Sequence, residues 1–229
     1  MDQVLNKYLP ERAVEGVFEL VKIFNDNGFK VLALSRDMSS IEELCSKNVH
    51  GFSFDITKQQ DIDKIANYVK SEFGPIDAII HNAGALIAKP FEMLSYDDFE
   101  YLYKVNVFGI AMLTKALLPQ LSKGAHVVGI SSIGGVRGSV KFPGLAAYSS
   151  SKGALITLIE VLAEEFKDRN IAFNALALGA VQTEMLSEAF PDYKTDMQPK
   201  NMAQYIFDFT INGHQFYNGK VLEVSNSTP

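Results

Sequence analysis

Short runs of apolar and β-branched residues alternate with longer amphipathic stretches along most of this chain. The short runs occupy 30–34, 49–54, 77–80, 126–130, 172–176 and 220–224. The amphipathic stretches cover about 10–27, 39–46, 59–73, 95–119 and 148–168. Several short runs are continuously apolar, which is typical of strands that helices cover on both faces. The pattern therefore predicts an α/β fold, a doubly wound parallel sheet with helices on both faces.

Composition narrows the class of protein. The 229 residues contain no repeat and no linker rich in Pro, Gly or Ser, so we expect a single domain over 1–229. The net charge of −6 and the pI near 5.3 argue against nucleic acid or an anionic membrane as a partner. No apolar run approaches the ~18 residues of a membrane span. With a lone cysteine, Cys45, and no recognisable signal peptide, the expected location is the cytoplasm.

Ligands of doubly wound sheets bind where the strands end, so the residues after each strand are the first candidates. Arg36 follows the run 30–34, where a guanidinium could bind a phosphate on the 2′ position of a ribose; a solvated loop arginine is an equal alternative. Asp55 follows the run 49–54. It could accept from an adenine amine, although helix capping is the commoner use of Asp at such a position.

The next strand leads into His81-Asn82-Ala83-Gly84, where small residues allow the backbone to approach a flat ligand. His81 is expected to be structural, and because no second ligand stands at suitable spacing, no metal site is predicted. Asn106 interrupts the helical stretch 95–119, which suggests a fixed polar contact or a bound water, or else a kink beside Gly109.

Three further segments carry candidate chemistry. Ser131 and Ser132 follow the run 126–130, where a hydroxyl could orient a carbonyl oxygen, although Ser-Gly turns are common without any role. Tyr148 and Lys152 stand four apart, one helical turn from each other. An ammonium beside a phenol favours the phenolate and should lower the pKa of the tyrosine, which suits proton transfer. A surface aromatic–cation pair is the plain alternative.

After the run 172–176 comes Leu178-Gly179-Ala180-Val181-Gln182-Thr183. Thr183 could donate to a phosphate or a carboxamide, or cap the helix that follows. The segment 184–200 is amphipathic and stands where a substrate lid would be, with a plain connecting helix as the alternative.

From about Gly28 to the C-terminus, the order of these motifs resembles the short-chain dehydrogenase/reductase family. His81 to Gly84 is similar to that family's Asn-Asn-Ala-Gly motif, and Tyr148 to Lys152 to its Tyr-x-x-x-Lys motif. Asn106 resembles its helix asparagine, and the segment 179–183 resembles its Pro-Gly-x-x-x-Thr element with Leu178 in place of the proline. The resemblance implies a Rossmann-like domain that transfers hydride between nicotinamide and a carbonyl or alcohol substrate.

The resemblance also assigns roles. Tyr148 would be the acid or base, Lys152 would lower its pKa and bind the nicotinamide ribose, Ser132 would position the substrate oxygen, and Asn106 would hold a relay water. The predicted cofactor-binding residues are Arg36, Asp55, Ile56, Asn82, Ala83, Gly84, Tyr148, Lys152, Gly179, Val181 and Thr183. Because Arg36 is present and no acidic residue stands at the strand tip, NADP is favoured over NAD.

One segment departs from the family pattern. Where the family has a strand and a glycine-rich phosphate loop, this chain has Pro10 to Val17, with Glu11 and Glu15 and only Gly16 of the glycines. We expect residues about 3–8 to supply the central strand, or the pocket to be rebuilt locally. The departure keeps open a second hypothesis, a non-catalytic relative with lost or weak dinucleotide binding that acts as a binding or scaffold protein.

The resemblance further implies a homodimer or homotetramer formed through the helical stretches 95–119 and 148–168. The substrate is expected to contact the segments 136–146 and 184–200. Their apolar side chains, Phe142, Met185, Leu186 and Phe190, favour an apolar carbonyl compound or alcohol.

Overall fold

The computed structural model describes residues 14–44 and 46–226, in which helices alternate with parallel strands. The strands are β1 (Val31–Ser35), β2 (Val49–Ser53), β3 (Ile76–His81), β4 (Leu121–Ser132), β5 (Ala172–Leu178) and β6 (Val221–Val224). The α-helices are α1 (Val14–Asp26), α2 (Ser39–Glu42), α3 (Gln59–Tyr68), α4 (Tyr96–Tyr103), α5 (Ile110–Leu117), α6 (Ala146–Glu165), α7 (Glu184–Ala189) and α8 (Pro199–Asn212). Short 3-10 turns occupy 91–93, 118–120, 133–135, 167–169 and 213–215, and π turns occupy 69–73 and 104–109.

All of the strand pairs are parallel, and the α/β fold class is confirmed. The described strands form one sheet of β1 and β2 and another in the order β3-β4-β5-β6. In the second sheet the pairing of β4 with β5 runs from His126 opposite Ala172 to Ser132 opposite Leu178. The carboxyl ends of these two strands therefore finish level with each other.

A cavity of about 670 Å³ lies between β1 and β3, the facing edges of the two sheets. Both strands line it along their length, and α1 closes it on one side through Val17, Leu20 and Phe24. The strand expected at residues about 3–8 lies outside the described residues.

Neighbouring residues of β4 face two different helix layers. Val127 is fully buried against α3, α5 and α6, in the larger core cluster. Val128 is fully buried on the opposite face, among residues of α1 and α8 such as Leu20 and Ile206. This arrangement explains why the strand is apolar at consecutive positions rather than at alternate ones.

The structure corrects the boundaries of several predicted elements. The stretch 95–119 is not one regular helix, because the π turn 104–109 separates α4 from α5. Helix α8 was missed, although Met202, Ala203 and Ile206 repeat at helical spacing and are buried. Aromatic residues crowd its sequence and hide that spacing; Phe207 packs edge-on against Phe24 of α1, with 4.8 Å between ring centroids.

Two buried histidines connect the layers. His81, at the end of β3, bonds through Nε2 to Thr114 Oγ1 of α5 at 2.7 Å. That hydroxyl donates to the Ile110 carbonyl, so His81 Nε2 carries the proton. His126 Nδ1 donates to the Thr210 carbonyl of α8 at 2.9 Å, which leaves Nε2 to accept from Asn174 of β5. Burial keeps both rings neutral, and the structural role expected for His81 agrees with this geometry.

These histidines predict a loss of stability in acid. Burial lowers the pKa of His81 and of His126 to about 4, from 6.5. Because protonation of these rings is disfavoured in the folded state, their contribution to the free energy of unfolding is complete above pH 6.5. It is lost as the pH falls towards 4. Each group should remove about 3 kcal/mol from the free energy of unfolding across that window.

The measurement is a proton NMR titration of the histidine C2 resonances, combined with urea unfolding at several pH values. A His81→Gln variant should show a flatter dependence of unfolding free energy on pH than the wild type between 6.5 and 4. Midpoints near 6.5 for both buried rings in the folded protein would contradict the prediction.

Candidate active site

A cavity of about 230 Å³ opens at the carboxyl ends of β4 and β5. The 3-10 turn 133–135, the start of α6, and the segment after β5 form its walls. Eight of the predicted site residues line it: Asn82, Gly84, Ser132, Tyr148, Lys152, Gly179, Val181 and Thr183. They come from four separate parts of the chain, and parallel pairing brings them together because it aligns the strand ends.

Tyr148 and Ser132 face each other in this cavity. Ser132 is close enough to the Tyr148 hydroxyl to lower its pKa, and Ser132 Oγ accepts from the Gly134 backbone N–H at 3.2 Å. Ser131, the alternative serine, also lines the cavity, but it is buried and its Oγ donates to the Lys152 carbonyl at 3.0 Å. The alternation of side chains along β4 therefore leaves Ser132 as the hydroxyl that can reach a ligand beside Tyr148.

The electrostatic state of Tyr148 differs from the expected one. Burial raises the pKa of Tyr148 above its ordinary value of 10, and the hydrogen bond from Ser132 opposes this only in part. The sequence predicts that Lys152 lowers the pKa of Tyr148, whereas in the folded protein this pKa is raised. Tyr148 is consequently a neutral phenol at pH 7 and can donate a proton.

Lys152 is buried under the same cavity, with 3% of its surface exposed. Its Nζ donates to the Ile130 carbonyl of β4 at 2.9 Å. A methyl group added at Gly84 would lie 3.0 Å from this nitrogen, so the absence of a side chain there leaves room for the ammonium. The glycine of the 81–84 motif thus has a packing reason as well as its predicted contact with a ligand.

Asn106 connects the π turn to the loop after β3. Its Oδ1 accepts from the Ala85 N–H at 2.8 Å, and its Nδ2 donates to the Ala85 carbonyl and to Ser151 Oγ at 3.0 and 2.9 Å. Both amide hydrogens are therefore used, and the residue is fully buried. This fixed polar contact is one of the alternatives that the sequence left open, and the relay water stays a prediction.

Glycines set the distance between the 133–135 turn and α6. A Cβ at Gly135 would lie 2.8 Å from the backbone nitrogen of Gly153, and one at Gly153 would lie 3.2 Å from the Gly135 carbonyl oxygen. Two backbones can approach this closely only where neither residue has a side chain. The contact fixes α6, and with it Tyr148 and Lys152, against the end of β4.

The remaining predicted cofactor residues lie outside this cavity. Arg36 is exposed after β1, and Ile56 and Ala83 line the larger cavity between the sheets. Asp55 Oδ1 accepts from the Thr57 N–H and hydroxyl at 3.0 and 2.7 Å. Burial raises the pKa of Asp55, but these bonds and the charge of Lys58 outweigh it and hold the pKa below 3.8. Asp55 thus stabilises the turn before α3.

One end of the cavity, against which Tyr148 also packs, is apolar. Leu86 and Leu145 are buried there, and Phe142, Met185 and Phe190 pack against them. The rings of Phe142 and Phe190 meet edge-on, with 6.1 Å between centroids. The segments 136–146 and 184–200 therefore meet over the site, as the expected position of the substrate requires.

Several lining residues had no signal in the sequence. Leu86 and Leu145 come from loops that the Lys89 N–H and the Gly144 carbonyl join at 2.9 Å. Met202 and Ile206 belong to α8. An assignment of α8 from its helical periodicity could have identified these two. Thr183, in contrast, has the capping role that the sequence allowed, since its Oγ1 accepts from the Leu186 N–H at 3.2 Å.

Metal and membrane sites were searched over residues 14–44 and 46–226. This part of the chain contains no group of three or more His, Cys, Asp or Glu side chains that could hold a metal ion. In the same residues, no helix combines the length and the apolar character that crossing a bilayer would take.

Comparison with protein families matches residues 17–194 to the family described as short chain dehydrogenase. The match covers well over half of the chain. The chain belongs to the short-chain dehydrogenase/reductase family. It is an oxidoreductase of that family by descent, and its Tyr-x-x-x-Lys motif lies in the cavity described above.

Curated relatives agree with this assignment. An uncharacterized oxidoreductase, YusZ, of Bacillus subtilis is 31% identical over 212 residues, which are 88% of this chain and 70% of that protein. A 7alpha-hydroxysteroid dehydrogenase of Escherichia coli K12 is 28% identical over 184 residues, 75% of this chain and 71% of that protein.

Solved structures of short-chain dehydrogenases share the fold. The 3-ketoacyl-(acyl-carrier-protein) reductase from Brucella melitensis, complexed with NADH, has a TM-score of 0.78 at 25% identity and covers 90% of each chain. ElxO with NADP bound has the same TM-score and identity, with coverage of 90% of this chain and 91% of its own.

The contact between the 133–135 turn and α6 can be tested by Gly135→Ala. The added methyl must displace backbone atoms of α6, so we expect a loss of about 1–3 kcal/mol in the free energy of unfolding. Gly16→Ala is the matched control, since a Cβ there meets nothing within 4 Å and alanine favours the helix. Urea unfolding of both variants measures the difference; equal stabilities would contradict the close contact.

Proposed function

We propose that the protein is an NADP-dependent oxidoreductase that transfers hydride between nicotinamide and an apolar carbonyl or alcohol substrate, with Tyr148 as acid or base. The observation that carries the proposal is that Ser132, Tyr148 and Lys152 line one cavity, in which Tyr148 also packs against an apolar cluster. Because the buried Tyr148 holds its proton at neutral pH, it can serve as the acid when the carbonyl is reduced.

The side chains suit distinct steps of such a reduction. The nicotinamide, when bound, would supply the hydride. Ser132 Oγ is a donor that can orient a carbonyl oxygen, and Tyr148 can deliver the proton that this oxygen takes up. Lys152 and Asn106 act behind them: the ammonium lies beneath the cavity floor, and the amide holds the loop that contains Ala85.

The residues at the strand ends fit the nicotinamide half of a dinucleotide. Asn82, Gly84, Tyr148, Lys152, Gly179, Val181 and Thr183 line one cavity, and the glycines leave the backbone open to a flat ring. Gly16, in the first turns of α1, reaches the same cavity, and a Cβ there would meet open space. Residues 10–13 of the Pro10–Val17 segment lie outside the described residues, so no step is assigned to them.

NADP is preferred over NAD in this proposal because the residue directly after β1 is Arg36 and not an acidic residue. The solved relatives include one bound to NADH and one to NADP, so they support a nicotinamide dinucleotide in general. The substrate is proposed to be apolar because Phe142, Met185 and Phe190 form the cavity end nearest Tyr148.

A second candidate function is a non-catalytic binding or scaffold protein. The sequence of Pro10 to Val17 favours it, since Glu11 and Glu15 add negative charge to a segment where relatives approach a pyrophosphate. The two functions differ in one measurable property, the affinity for dinucleotide.

We also propose that the protein is a homodimer or homotetramer in the cytoplasm. Exposed apolar side chains on the two long helical segments support an association surface, namely Phe108, Met112 and Val161.

The first test of function combines cofactor binding with Tyr148→Phe. Titration of the wild type with NADPH, followed by nucleotide fluorescence or calorimetry, should show binding. Tyr148→Phe should bind NADPH with nearly unchanged affinity and should lose carbonyl reduction by at least about a hundredfold, because the proton donor is gone. No binding at millimolar NADPH would favour the scaffold function, and a variant that kept its rate would remove Tyr148 as the acid.

The second test concerns cofactor choice. Arg36→Ala should weaken NADPH binding by about tenfold, equivalent to ~1.4 kcal/mol, and should leave NADH binding unchanged, because only NADPH has a phosphate for the guanidinium. Lys47→Ala, another exposed cation in the β1–β2 connection, serves as the control. Equal effects on the two nucleotides would contradict a phosphate contact at Arg36.

A further inference from the structure

The apolar end of the cavity is covered by a lid, which we define as residues 183–198. Its helix, α7, directs Met185, Ala189 and Phe190 towards Leu86, Leu145 and Phe142 on the opposite wall. Any movement of α7 away from these residues would enlarge the apolar end. The position of the lid therefore sets the size of molecule that can lie beside Tyr148.

Gln182, immediately before the lid, holds both of its ends. Its backbone N–H donates to the Met197 carbonyl at 2.8 Å, where the lid returns. Its side-chain Oε1 accepts from the Thr195 N–H at 3.1 Å, and its Nε2 donates to Ser187 Oγ of α7 at 3.1 Å. One amide side chain thus bonds to α7 and to the returning segment at the same point.

The base of the lid is anchored separately from its helix. Val181 and Met197, the neighbours of the contact, pack against the core cluster of α8 and β4. The N-terminus of α7 is capped by Thr183, whose bonds do not involve Gln182. Loss of the Gln182 side chain should consequently leave α7 formed and the base in place, while it frees the helix to move relative to the returning segment.

We propose that Gln182 is a positioning residue that holds the lid closed over the apolar end and thereby limits the size of the substrate. Gln182 is not among the residues that line the cavity, so it acts through the position of α7. This proposal rests on the function proposed above, because it concerns the selectivity of the same site. A glutamine is suited to the position because its amide accepts from one partner and donates to the other.

The test compares Gln182→Leu with Gln204→Leu. Leucine has nearly the same size as glutamine but lacks its hydrogen bonds. Gln204 is an exposed residue of α8 that bonds to Asp208 at 3.2 Å, so its replacement removes a similar contact away from the lid. Hydrogen exchange over residues 184–197 should become about tenfold faster in Gln182→Leu and stay unchanged in Gln204→Leu.

Kinetics with NADPH and straight-chain aldehydes of increasing length give the second readout. In Gln182→Leu, the value of kcat/KM for long aldehydes divided by that for short aldehydes should rise by about tenfold. For the short aldehydes, the variant should differ from the wild type in KM rather than in kcat. Gln182→Glu retains the acceptor for Thr195 but loses the donor to Ser187, so its exchange and selectivity should fall between the wild type and Gln182→Leu.

Two results would overturn the proposal. Unchanged exchange of the lid in Gln182→Leu would show that the side chain does not hold it, and faster exchange with unaltered selectivity would show that the lid does not limit substrate size. A wild type that reduces none of the aldehydes would count against the proposed function instead, and the exchange measurement would still decide whether Gln182 holds the lid.

Discussion

The contact between the backbones of Gly135 and Gly153 is the constraint on which the candidate active site depends. At this point the turn after β4 meets α6 at a distance that a side chain on Gly135 would prevent. Ser132 comes just before the turn. On α6, Lys152 lies directly beside the contact, and Tyr148 lies one helical turn earlier. Because both segments are fixed by the same contact, their hydroxyls meet without further support from the loop that connects them.

Buried polar side chains next to the candidate site are likewise held by contacts with neighbouring elements. Asn106, Ser131 and Lys152 bond mainly to backbone atoms of neighbouring elements, and each is buried. Their hydrogen bonds join α6 to β4, and the π turn to the loop after β3. Tyr148 is different, since burial raises its pKa and its side chain lines a cavity. The site therefore combines fixed polar surroundings with one side chain that keeps its proton at neutral pH.

The two ends of the cavity differ in what holds them. The end near β4 and β5 is built on strands and on α6, which are fixed by the largest core cluster. The apolar end is built on two loops and the short helix α7, which meet through Phe142 and Phe190, and Gln182 bonds to α7 and to the segment that follows it. In the proposed function, proton transfer and substrate choice therefore depend on different parts of the fold.

The sequence alone predicted the alternation of strands and helices, which is confirmed. It also predicted a site at the strand ends and, through the family resemblance, Ser132, Tyr148 and Lys152 as its residues, which the structure brings to one cavity. Apolar runs and the spacing of four residues are local properties, and local properties are legible without coordinates. It could not provide α8, whose helical spacing is hidden among aromatic residues, nor Leu86 and Leu145, which come together only when two loops pair. Only the tertiary structure decided the direction of the Tyr148 pKa, because burial by distant segments outweighs the charge of a neighbour on the same helix.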